Sequence, residues 1–307
     1  MKNTLSWLIL LGLVLVWGSS FILIKRSLLY FSSDEVGILR IVITFLFLSP
    51  IAFIRFKKIE RKTAIILFVS GIIGSVIPSW LFATAQTQID SSLAGTLNSL
   101  TPLFTLIVGL LFFKLKTRWY NIIGVIIGLF GAVGLIMASS SGSFDLNIKY
   151  SFLVIIATLC YAINVNIIKT YLNHLDSLSI TALTFFLVGL PLLFFTIFFM
   201  DVPAEIIAEP EKLKGLGYLS VLSIVGTGLA LIAFNNLIKI SSPVFASSVT
   251  YLIPVVAIAW GILDGEIFKL SYILWFALII FGVFMVNAKP GKGANISSML
   301  LFGKRAK

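Results

Sequence analysis

The chain has 307 residues, of which 59% are hydrophobic and only 11% charged, with a mean hydropathy of +1.09. Globular domains carry about 25% charged residues, so this composition excludes an ordinary soluble protein and marks a polytopic, all-α membrane protein. The formal charge of +11 sits in short loops and at the C-terminus, where it orients a membrane chain in its lipid and does not make a nucleic-acid partner.

A helix needs about 20 apolar residues to cross the hydrocarbon core. Ten stretches approach that length, near 7–29, 36–55, 64–86, 93–113, 119–138, 151–170, 180–200, 215–238, 244–262 and 271–288. The first holds LVWGSSFILIKR at 15–26. A secretory leader is the rival reading, but no small-residue cleavage site follows Phe21 and the rest of the chain is equally apolar. Gly18, Ser19 and Ser20 are small enough to let helices pack closely. Trp17 sits about ten residues inside the span, away from the interfaces where tryptophan concentrates. Its indole N–H needs a partner, and a cavity supplies one.

The second stretch contains Arg40, a charge inside its apolar run. At a rise of about 1.5 Å per residue it lies roughly 6 Å below the boundary. Two readings stay open. Arg40 snorkels to headgroups, or it joins Lys25 in a positive vestibule for a substrate carboxylate, with Lys169 as the counterpart at the other mouth. In the fourth stretch Ala94, Asn98, Thr101 and Thr105 recur at helical spacing along one face, beside Pro102. The fifth carries Gly124, Gly128, Gly131 and Gly134, a close-packing stripe. The sixth brings Tyr161 and Asn164 to mid-span, and the eighth ends with Asn235 and Asn236, which face water on the simplest reading. The ninth repeats the polar theme with Ser247, Thr250, Tyr251 and Pro254, and a basic tail follows. The candidate substrate-binding set is therefore Trp17, Ser20, Arg40, Asn98, Thr101, Tyr161, Asn164, Thr250 and Tyr251.

With the N-terminus inside, sixteen of the 23 basic residues fall on the inner side and six on the outer. That bias predicts cytoplasmic N- and C-termini. The chain also repeats itself. A shift of 152 brings Gly74 onto Gly226, Phe82 onto Phe234, Ala94 onto Ala246 and Pro102 onto Pro254. A shift of 144 pairs Trp17 with Tyr161, Ser20 with Asn164 and Lys25 with Lys169, and a shift of 141 pairs Pro50 with Pro191. Five spans per copy is an odd number, so the second copy enters the membrane inverted. The expected units are 1–147, 148–290 and a basic cytoplasmic tail at 291–307.

WGSSF at 17–21, Arg40, SSLAGTLNSLTPLFT at 91–105 and its echo SSPVFASSVTYLIPVVA at 241–257 together resemble the drug/metabolite transporter superfamily. More narrowly they resemble its ten-span EamA branch, whose members are mostly bacterial metabolite exporters. The resemblance covers about 1–288 and implies a multi-pass protein of a bacterial plasma membrane. It also implies alternating-access export of small metabolites such as amino acids. A nucleotide-sugar or drug carrier of the same superfamily and a passive pore are the alternatives. An enzyme is not expected: all twelve Asp and Glu residues lie in loops or at span ends, and His174 and Cys160 are single. Neither a buried acid pair nor a metal site can be assembled from them, so no cofactor or metal is expected. The oligomeric state is not written in the chain.

Overall fold

Regular structure begins where the sequence supplies caps and apolar length, and every regular element among the described residues is helical. The computed structural model describes residues 2–56, 59–113, 119–139, 144–200, 202–240, 246, 249–266 and 269–287. The expected basic loop at 114–118, Ser247 and the tail at 291–307 lie outside them.

Helix α1 runs Lys2–Ser27 and α2 Ser33–Phe56. Ser32 and Glu35 start α2 as a capping box: the Ser32 N–H donates to Glu35 Oε2 at 2.7 Å and the Glu35 N–H to Ser32 Oγ at 3.3 Å. The third crossing is composite, α3 Arg61–Gly71 and α4 Ile77–Ala85 joined by a π-helical stretch at Ile72–Val76. The fourth joins α5 Ser91–Leu97 to α6 Thr101–Phe112 through a 3₁₀ turn at Asn98–Leu100, with Pro102 opening α6. Helix α7 is Trp119–Ser139, α8 Phe144–Tyr171 and α9 Ser177–Phe199, the last capped by Asp176, which accepts the Ser179 N–H at 3.0 Å. After a short α10, Val202–Ala208, α11 Lys212–Ser223 and α12 Ala230–Ile240 flank a second π stretch at Ile224–Leu229. Helices α13 Val249–Leu263 and α14 Ser271–Asn287 complete the bundle.

Seven described helical segments are long and apolar enough to cross a membrane: Thr4–Ser27, Ser33–Phe56, Arg61–Ala85, Ser91–Phe112, Ile148–Tyr171, Ser177–Phe199 and Lys212–Ile240. The remaining three predicted spans coincide with shorter apolar segments at Ile122–Leu135, Val249–Leu263 and Ser271–Gly282. The outer surface suits lipid. Phe112, Phe198, Phe199 and Leu263 are each exposed by 71% or more, a display that water penalises and hydrocarbon does not.

The packing is pairwise. Helix α2 lies on α9, α1 on α13 and α12, α8 on α6 and α4, and α7 on α14. The α7 glycine stripe meets α14 backbone to backbone: a Cβ on Gly282 would stand 2.5 Å from the Gly128 nitrogen and 2.6 Å from the Gly124 oxygen. The stripe is a packing seam, as its spacing predicts.

The two π stretches lie 152 residues apart, the same shift that relates Gly74 to Gly226. Matching side chains approach each glycine. A Cβ on Gly74 would collide with the Asn164 amide, and one on Gly226 would stand 3.0 Å from Ser20 Oγ. Trp17 meets Phe234 edge-on at 4.9 Å, and Tyr161 stacks on Phe82 at 5.9 Å. Each of these contacts is the partner of the other under the sequence shifts.

Candidate functional site

The composite helices converge on one central cavity of about 130 Å³. Eight of the nine residues expected from the sequence line it: Trp17, Ser20, Arg40, Asn98, Thr101, Tyr161, Asn164 and Thr250. Tyr251 does not. Adjacent positions on a helix lie about 100° apart, so Thr250 facing the cavity turns Tyr251 into the apolar core, where its hydroxyl has no partner among the described residues.

Local backbone chemistry sets the polar groups. A π stretch leaves carbonyls outside the regular helical ladder, and the Trp17 indole N–H donates to one, the Gly226 oxygen, at 3.0 Å. Ser20 bonds back to the Val16 carbonyl at 3.0 Å, and the Thr101 hydroxyl donates to the Asn98 carbonyl at 2.8 Å. Asn164 Oδ1 accepts from Ser70 Oγ at 2.5 Å. Each of these side chains keeps one face toward the cavity while its own chain or a neighbour satisfies part of its bonding capacity.

Among the described residues, Arg40 is the one charged residue in the cavity lining. Snorkelling is overturned: its Nε–H donates to Thr227 Oγ1 at 2.8 Å, across the bundle. The reason is tertiary, because α2 packs against the second π stretch at this level. The vestibule shared with Lys25 is overturned too. Lys25 lies 2.8 Å from Asp264 and 2.9 Å from Glu266, and Arg26 also pairs with Asp264. Carboxylates some 240 residues away neutralise it. Lys169 is exposed and outside the lining.

This ion-pair cluster sits at the end of the bundle at which α1 finishes. Glu266 accepts the Ser91 N–H at 2.9 Å, the Ser91 hydroxyl at 2.6 Å and the Ser92 N–H at 3.1 Å, so it pins α5, α1 and the turn after α13 together. Burial pushes its carboxyl upward, but hydrogen bonds from Ser91, Lys25 and Ser92 outweigh this and hold it below the usual carboxylate range. Burial, then the neighbouring Glu266 charge, pushes Asp90 the other way. The cavity lining reaches toward the opposite end, to Ile180 and Thr181 in the first turns of α9.

Sequence reasoning missed Ser70, Ser75, Thr181, Thr184, Thr227 and Asn235, all of which line the cavity. Asn235 in particular does not face water. It is 4% exposed, its amide donates to Thr181 Oγ1 at 3.0 Å, and its Oδ1 is unpaired among the described residues. Asn236 is exposed as expected. The missing signal was the repeat itself: the shifts that relate the chosen residues also carry Arg40 onto Thr181 and Ser75 onto Thr227.

A bundle of apolar helices around a polar cavity agrees with the comparisons to known proteins. The model of the EamA-like transporter family matches residues 4–137 and again 148–288. The chain belongs to the EamA-like transporter family. An "Uncharacterized transporter" of Archaeoglobus fulgidus is 26% identical over 285 residues, covering 92% of this chain and 99% of that one. The "Uncharacterized inner membrane transporter YedA" of Escherichia coli K12 is 26% identical over 283 residues, covering 91% and 89%. A solved crystal structure superposes with a TM-score of 0.63 at 13% identity, over 93% of this chain and 96% of that one, a likeness of fold alone. As an EamA-family member the chain is a membrane transporter by kinship, and its family points away from an enzyme.

Proposed function

We propose that this EamA-family chain exports small metabolites, of amino-acid size, by alternating access across a bacterial plasma membrane. Ten spans in two inverted units, 1–147 and 148–290, would carry the movement, with both termini in the cytoplasm. The reciprocal contacts Trp17–Phe234 and Tyr161–Phe82, and the paired π stretches, support the two-unit reading.

The observation that carries the proposal is the cavity. Both units line it, and the lining runs toward the end of the bundle opposite the Lys25, Asp264 and Glu266 ion pairs. A cavity accessible from one side at a time is what alternating access requires. The volume supports a small substrate: an engineered cavity of about 150 Å³ takes benzene, and a nucleotide sugar is several times larger. A passive pore would need a continuous path, and on this reading the Lys25, Asp264 and Glu266 cluster stands across it.

Counterflow in proteoliposomes tests this with a panel of amino acids and small carboxylates. A carrier gives saturable uptake that a loaded substrate on the far side accelerates. Flux that rises linearly with concentration and ignores the far side would mean a pore.

A further inference from the structure

Arg40 brings a full positive charge into the cavity without a negative partner. Among the described residues it forms no ion pair, and no carboxylate lines the cavity with it. The acids nearest in sequence are committed elsewhere. Asp34 accepts the Trp80 indole N–H at 2.6 Å, and Glu35 closes the capping box with Ser32. An uncompensated guanidinium inside the membrane is costly, and one neutral hydroxyl does not balance a charge.

The geometry of that single bond is informative. Thr227 takes the side-on Nε–H, while both terminal nitrogens have no partner among the described residues. Those two nitrogens form the end-on fork that matches a carboxylate through two parallel hydrogen bonds. Thr227 therefore fixes the orientation of the guanidinium and leaves its strongest recognition edge vacant.

The walls beside it are apolar and flat. Trp17 with Phe234, and Tyr161 with Phe82, place two ring pairs on the cavity. We propose that Arg40 is the anion-binding residue of this cavity, and that the transported molecule carries a carboxylate held end-on by its guanidinium with an apolar remainder lying against these rings. The proposal rests on the transporter reading and narrows it to a substrate class: amphipathic carboxylates, zwitterions included, over organic cations. A cation would meet Arg40 as a like charge, with no acid among the described residues of the lining to offset it.

The test uses three probes built on one phenethyl group, 3-phenylpropionate, its isosteric amide and the smaller phenethylammonium, on the full-length detergent-purified protein. Tryptophan quenching and thermal shift report binding, and counterflow in proteoliposomes reports transport. Wild type should favour the carboxylate over the amide by at least about tenfold, and the ammonium should bind least. Arg40→Gln should erase the preference. Arg40→Lys should keep a reduced one, because a point charge replaces the fork. If Arg40→Gln does not fold, the carboxylate-to-amide ratio of Arg40→Lys against wild type decides, since a merely structural arginine would leave that ratio unchanged. Equal binding of carboxylate and amide by wild type, retention of the preference by Arg40→Gln, or no binding of any probe overturns the proposal. Counterflow of the amide without carboxylate preference would leave the transporter reading standing and remove Arg40. Selective carboxylate binding without any counterflow would do the reverse.

Discussion

Replacing Glu266 with glutamine should unlatch the closed end of the bundle. The carboxylate is 3% exposed and accepts from Lys25, from the Ser91 and Ser92 backbone, and from the Ser91 hydroxyl. Glutamine keeps the shape and one acceptor oxygen but removes the charge. Hydrogen bonds to a charged group contribute about 1.5–3 kcal/mol each against about 1 for neutral ones. Lys25 is about one-third exposed, so water recovers much of its share. A net loss of about 1.5–3 kcal/mol from the closed state is therefore expected, which corresponds to roughly a 10- to 150-fold shift in the closed-to-open ratio. The assay is labelling by a membrane-impermeant maleimide of a cysteine at Ser20, in a Cys160→Ser background, applied from the face where α1 ends. Labelling should accelerate by about tenfold or more while membrane abundance holds. An unchanged rate at unchanged abundance would show that the cluster is ornament to the fold and does not hold the cavity shut.

Three further outcomes follow from the same structure. The depressed Glu266 carboxyl contributes its stabilisation above the ordinary glutamate value, about 4.3, and loses it as pH falls through its lower folded value; the labelling rate at Ser20 divided by that of the same cysteine in Glu266→Gln, a ratio that cancels the pH dependence of the thiolate, should stay low and flat from neutral pH to about 5 and rise toward one only below about 4, and a rise between pH 6 and 7 would assign the latch to another group. Gly282→Ala should lower the melting temperature and the membrane abundance, because its Cβ would meet the Gly128 backbone at 2.5 Å and backbone cannot step aside; a variant as stable as wild type would mean that α14 shifts freely on α7. Reporter fusions after Lys62, Lys149 and Lys289 should score inside, outside and inside, and an outside score at Lys289 would contradict both the ten-span count and the inverted units.

The legible part of this protein was what repeats along the chain. Apolar length marked the helices, and the Trp17, Tyr161, Gly74 and Gly226 coincidences marked the cavity, because equivalent residues in two related units meet at their common centre. Glycine spacing likewise foretold the α7 seam. What stayed hidden depends on contacts between positions far apart in sequence. Nothing near Lys25 in the chain announces Asp264 and Glu266, so its charge looked available when it is not. Asn235 looked like a span end because the π stretch upstream of it, which sets the facing of α12, leaves no mark in composition. Tyr251 failed for a simpler reason, since a polar type at mid-span does not say which way the helix turns it.

The central claim is that the cavity between the two halves is where the transported molecule sits, and Asn98 tests it most directly. Its side chain lines the cavity at 6% exposure, with Thr101 as its bonded partner. The decisive measurement is the initial transport rate per copy of Asn98→Ala, normalised to the protein present in the membrane. The account predicts a fall of about tenfold, the loss of roughly 1.4 kcal/mol of substrate interaction, with abundance and melting temperature retained. A rate per copy equal to wild type, or a loss that merely tracks falling abundance, would show that this amide packs the bundle and would contradict the cavity as the substrate site.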